Sequence, residues 1–129
     1  MTSKLDPEER KALLLALEDT GWRATDEGDA MIKRLLFRDF SDAWGFMAEV
    51  ALLAEKMDHH PDWRNVYKTL EITLTTHDCS GLSVLDIELA RAIDGLAEGR
   101  GEVDRDIGRP LMRLADSAAN SEDGAEDDA

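Results

Sequence analysis

The stretch Leu70-Glu71-Ile72-Thr73-Leu74-Thr75-Thr76-His77 opens with alternating apolar and polar side chains. This puts Leu70, Ile72 and Leu74 on one face of a strand and Glu71, Thr73 and Thr75 on the other. A half-buried strand needs partners, and the chain offers three. Trp63-Arg64-Asn65-Val66-Tyr67, entered from Pro61, reads as the strand before it, with a turn at Lys68-Thr69. Further upstream, Trp22-Arg23-Ala24 and Met31-Ile32-Lys33-Arg34-Leu35-Leu36-Phe37 flank the charged turn Asp26-Glu27-Gly28-Asp29, where Gly28 suits a hairpin loop. Met31, Leu35 and Leu36 also fit a helical spacing, so a helix is the alternative for this last segment.

Helices separate the strand pairs. Asp6-Pro7-Glu8-Glu9 has a capping carboxylate, a proline at the first helical position and a glutamate three residues after the cap; Leu13, Leu14 and Leu17 follow as a stripe that Gly21 ends. In Ser41 to Met57, Phe46, Val50, Leu53 and Met57 repeat at the spacing of one buried helical face. A second apolar set, Trp44, Met47, Ala48, Ala51, Leu52 and Ala54, widens that stripe around most of the helix. In so small a protein this predicts contact with another subunit rather than a deeper core. Ser83-Val84-Leu85-Asp86 has the form of a capping box, with Leu85, Leu89, Ala92 and Leu96 as the face of a last helix stopped by Gly99 and Gly101. The order α-β-β-α-β-β-α predicts an α+β fold: a four-stranded antiparallel sheet with three helices packed on one face and the other face open to solvent. A short helix is also expected over residues 109–118, starting at Pro110, with Leu111 and Leu114 on one side.

The 129 residues carry 29 acidic and 15 basic side chains, a net charge of −14, which repels phosphate backbones and argues against direct nucleic-acid binding. Residues 99–129 hold nine of the acids and four of the bases, and Ala115 to Ala129 has six acids and no base. Residues 1–98 are therefore read as the folded domain and 99–129 as an acidic, disordered extension that solubilises the chain. The single cysteine, Cys79, excludes an intrachain disulfide. No apolar run is long enough for a signal peptide or a membrane span, so the expected location is cytoplasmic.

The chemistry gathers in nineteen positions. His59 and His60 leave the long helix, and His77 ends the best strand. A histidine with its ordinary pKa of roughly 6.5 both gives and takes protons at neutral pH, as general acid–base catalysis requires. Glu55 and Asp58 are placed to orient an imidazole; Asp86 could do the same, but capping its helix is the better reading. A metal is disfavoured: adjacent imidazoles diverge, and no His-x-His or His-x-x-x-His spacing is present. Cys79 reads as a small, partly buried side chain rather than a nucleophile.

The run Glu55-Lys56-Met57-Asp58-His59-His60-Pro61-Asp62-Trp63-Arg64-Asn65-Val66-Tyr67, with His77 and Asp86 beyond it, closely resembles the signature of the pterin-4a-carbinolamine dehydratases. Phe37-Arg38-Asp39-Phe40, Trp44-Gly45-Phe46-Met47 and Thr75-Thr76-His77-Asp78-Cys79-Ser80-Gly81-Leu82-Ser83 extend the likeness over about Gly21 to Leu96. The resemblance implies the same α+β fold, a homodimer or homotetramer, and no metal or organic cofactor. It implies loss of water from 4a-hydroxytetrahydropterin to give quinonoid dihydropterin, the recycling step that follows an aromatic amino-acid hydroxylase. It also makes His59, His60 and His77 catalytic. Asp58, Thr75, Thr76 and Asp78 then contact the pterin, with Glu55, Trp63 and Asp86 in support. Animal members of the family also serve as dimerisation cofactors of transcription factors, so a non-catalytic interaction protein is the alternative. The histidine cluster argues for the enzyme.

Overall fold

The structure is a computed structural model and describes residues 2–107 and Leu111. Helix α1 spans Pro7–Glu18, and Asp6 caps it by accepting the Glu9 N–H at 2.9 Å. Strands β1 (Arg23–Ala24) and β2 (Met31–Leu36) form the first antiparallel pair. Helix α2 runs Phe40–Met57 from an Asp39 cap, one residue earlier than its apolar spacing suggests. β3 (Asp62–Val66) and β4 (Thr69–Leu74) make the second pair, and α3 spans Val84–Ala97.

The sheet order is β1-β2-β4-β3, all antiparallel. The alternation in β4 is realised as written: Leu70, Ile72 and Leu74 are fully buried and join one core with Met31 and Leu35 of β2, Phe46 and Val50 of α2, and Ile87, Leu89 and Ile93 of α3. The hairpin turn lies one residue before its expected place, at Tyr67-Lys68. There Tyr67 takes a left-handed conformation (φ 55°), and the Asn65 side-chain amide donates to the carbonyls of Tyr67 and Thr69, both at 3.0 Å. That turn sets the register pairing Asp62 with Thr73. β4 ends at Leu74, so His77 lies beyond the strand, in a 3-10 turn over His77–Cys79.

A fifth strand, β5 (Glu102–Val103), lies on the β1 side of β2, opposite Leu35 and Leu36. A two-residue strand between glycines carries no periodicity, which is why the sequence reading stops at four. The chain after β5 also crosses the face expected to be open. Arg34, buried on that face, donates to the carbonyls of Asp106 and Ile107 at 3.2 Å and pairs with Glu71 at 2.7 Å. Arg105 donates to the carbonyls of Glu18 and Asp19 at the C-terminal end of α1, where a cation is favoured. Residues 99–107, read from the sequence as the start of a disordered extension, are therefore ordered, because β5 pairs with β2 and Arg34 holds the carbonyls of Asp106 and Ile107. The helix expected over 109–118 and the rest of the expected disorder lie outside the described residues, apart from a buried Leu111.

The outer side of α2 carries exposed Phe40, Trp44 and Leu52, with Ala48 and Ala51 beside them, and the Phe40 and Trp44 rings stack at 6.2 Å. Ala54, grouped with this set by its spacing, is instead buried. No helix among the described residues is long and apolar enough to cross a membrane.

Candidate active site

Helix α2 stops at Asp58, which takes a left-handed conformation (φ 54°) while its N–H bonds back to Ala54 and Glu55. The chain turns there, and Pro61 holds the following residues away from helix. The two adjacent imidazoles accordingly point apart. His59 turns inward, its side chain 10% exposed, and its Nε2 donates to Asp86 Oδ1 at 2.6 Å. His60 stays at the surface, 57% exposed, with Nε2 at 2.9 Å from Glu55 Oε1.

Asp86 is fully buried and does both jobs considered for it. Oδ1 receives His59, while Oδ2 accepts the Ser83 backbone N–H at 2.9 Å and the Thr76 hydroxyl at 2.6 Å, so the capping box and the histidine support are one carboxylate. The Ser83 hydroxyl completes the chain by donating to Thr76 Oγ1 at 2.7 Å and accepting the Leu85 N–H at 3.2 Å. Every proton in this set has one consistent direction, ending on Asp86 as an acceptor with three donors.

The third imidazole arrives from the far side. After β4, Thr76 and Gly81 form a bridge that closes a small loop, within which the Cys79 thiol donates to the carbonyls of Thr76 and Gly81. His77 sits on this loop, 76% exposed, and its Nε2 lies 3.3 Å from Asp62 Oδ2 at the start of β3. Each histidine thus meets its own carboxylate through Nε2, and each carboxylate belongs to a different element: α3, α2 and β3.

The three imidazoles line one open cleft of about 460 Å³, together with Asp58, Asp62, Thr75, Thr76 and Asp78, and with Thr2, Met57 and Leu85 as its other lining residues. That volume suits a small heterocycle. Of the residues singled out in the sequence, Trp63 lies elsewhere, packed against the core from β3, and Thr76 spends its hydroxyl on Asp86 and Ser83. Thr75 donates to the Asp29 carbonyl at 2.6 Å, tying the rim to the first hairpin. Asp62 is the residue the sequence reading passes over. Its signal is the hairpin register, which sets the first residue of β3 beside the end of β4. Among the described residues no group of three or more His, Cys, Asp or Glu is arranged to hold a metal ion.

The family model described as pterin 4 alpha carbinolamine dehydratase matches residues 3–96, which takes in every residue lining the cleft except Thr2. The chain belongs to this family. Membership makes it a dehydratase, an enzyme of the lyase class. A provisionally named pterin-4-alpha-carbinolamine dehydratase of Rhodopseudomonas palustris (strain BisB18) is 52% identical over 97 residues, 75% of this chain and 94% of the relative. One of Dinoroseobacter shibae is 53% identical over 97 residues, 75% of this chain and 100% of the relative. Among solved structures, a transcriptional coactivator/pterin dehydratase from Brucella melitensis is 44% identical and superposes with a TM-score of 0.68, covering 73% of this chain and 98% of that one. A pterin dehydratase-like protein described as a RuBisCO assembly factor of the alpha-carboxysome shares the fold at a TM-score of 0.53 and 24% identity, over 60% of this chain and 89% of its own. In this dehydratase, β5 and the residues after it lie beyond the matched region.

Proposed function

We propose that this dehydratase removes water from a 4a-hydroxytetrahydropterin by histidine general acid–base catalysis, giving the quinonoid dihydropterin. The C4a–O bond breaks as the hydroxyl is protonated and leaves as water; the N5–H proton is lost, and its electron pair forms the N5=C4a bond. The step is redox-neutral. One acid at oxygen and one base at N5 suffice. His60 and His77 are assigned these transfers, because both are exposed to the cleft and both leave Nδ1 free when Nε2 faces a carboxylate. His59, held by Asp86, orients the ring or shares the acid role. Asp58, Asp78 and Thr75 are assigned to the pterin, and Thr76 acts on it through Asp86. The single observation that carries the reading is the meeting of three imidazoles, each with its own carboxylate, around one cleft of suitable size.

The reading places the enzyme in the cytoplasm, in pterin recycling after an aromatic amino-acid hydroxylase. It assigns the exposed face of α2 to a second copy of the chain, in a dimer or tetramer, since stacked Phe40 and Trp44 beside Leu52 form an apolar surface of the kind subunits cover. The same face favours a second reading, an interaction protein without catalysis. Stopped-flow decay of enzymatically generated 4a-carbinolamine, with native mass measured alongside, separates the two. Acceleration by the wild-type chain supports the enzyme; a rate equal to the uncatalysed one, with a stable heterologous partner captured, supports the other.

A further inference from the structure

We propose that Asp62 is the positioning residue for His77, an inference that rests on the dehydratase reading of the cleft. The backbone around His77 is already fixed: the Ser80 N–H bonds to the His77 carbonyl at 3.2 Å, and Thr76 and Gly81 close the loop at 2.8 Å and 3.3 Å. What remains free is rotation of the imidazole, which is the most exposed of the three. Asp62 is the carboxylate that meets it, at 3.3 Å from Nε2. It is carried by a different strand, whose register against β4 is locked by the Asn65 staple at the hairpin turn.

An ionised carboxylate facing Nε2 favours the tautomer with hydrogen on that nitrogen. Nδ1 is then the bare acceptor on the ring and takes the reacting proton, and Asp62 offsets the charge that develops on the ring once it is taken. This is the logic of any base oriented by a third group. The 3.3 Å separation is longer than the contacts of His59 and His60, at 2.6 Å and 2.9 Å.

The test is a double-mutant cycle with Asp62→Asn in the wild-type and His77→Ala backgrounds, read by stopped-flow kinetics and by 15N spectra of His77. Asp62→Asn lowers kcat by about tenfold with KM changed less than about twofold, and Asp62→Glu restores most of the loss. In the His77→Ala background the same change alters kcat by less than about twofold, because the group it acts through is gone. In the spectra, the preference for hydrogen on Nε2 seen in the wild type is lost in Asp62→Asn. A wild-type kcat in Asp62→Asn, or an equal loss in both backgrounds, overturns the proposal. Should the wild-type chain leave the carbinolamine untouched, the reading of the cleft fails separately, and the spectra alone decide: an unchanged tautomer ratio overturns the Asp62 assignment, and a lost preference upholds it.

Discussion

The two sides of the cleft hold their histidines by opposite means. On one side His59 and Asp86 are buried, 10% and 0% exposed, and Asp86 is locked by two further donors. On the other side His60 with Glu55 and His77 with Asp62 stand in solvent, each side chain more than half exposed. One histidine–carboxylate pair is thus part of the fold, while the other two stand open to solvent on the cleft. Removing a partner from a buried pair strands several polar groups without water; removing one from an exposed pair lets water take its place.

The largest expected effect is therefore at Asp86. Asp86→Ala leaves His59 Nε2, the Thr76 hydroxyl and the Ser83 N–H without their acceptor, and urea denaturation should show a loss of about 3–5 kcal/mol. Thr76→Val keeps the shape but removes one donor to Asp86 and the acceptor of the Ser83 hydroxyl, for a loss of about 1–3 kcal/mol by the same measurement. A stability near wild type in both variants would erase the distinction between the two sides.

Glu55→Gln probes the other side. Stability should change by less than about 0.5 kcal/mol, while kcat falls several-fold as His60 loses its orienting partner. A destabilisation as large as that of Asp86→Ala would show that the exposed pairs are structural too.

The smallest effect belongs to an exposed pair away from the cleft. Arg100 clasps Glu49 through two bonds of 3.0 Å, and this hydrogen bonding, reinforced by the guanidinium charge and only partly opposed by desolvation, holds the Glu49 carboxyl below its ordinary 4.5. A carboxyl lowered in the folded state stabilises above its unfolded pKa, and that contribution is lost as pH falls through the folded value. Glu49→Gln should thus be slightly less stable than wild type at neutral pH, with the gap closing on acidification below 4.5, and dehydratase activity should be unchanged. A gap that widens in acid would contradict the assignment.

How much of this was legible in the sequence varies with the length of the pattern. β4 and α2 are long enough for their periods to declare both the element and its buried face, and the caps at Asp6 and Ser83 fall where their motifs put them. β5 has two residues and no period, so only the backbone pairing with β2 defines it. The roof over Arg34 depends on carbonyls of residues 106 and 107, which no side-chain pattern marks. In the cleft, His59, His60 and His77 were visible as a cluster, whereas the sharing of Asp86 between cap and imidazole needs the three-dimensional meeting of α2 and α3. Asp62 was hidden because its partner lies across a hairpin whose turn falls one residue from the expected place.

The central claim is that the exposed histidines move the protons while the buried one is held in place. Stopped-flow decay of the 4a-carbinolamine with the double variant His60→Ala/His77→Ala tests it most directly, because this change leaves the His59, Asp86 and Thr76 network intact. The double variant should fold, and its rate constant should fall by about a hundredfold or more. A folded double variant that turns over at the wild-type rate would contradict it.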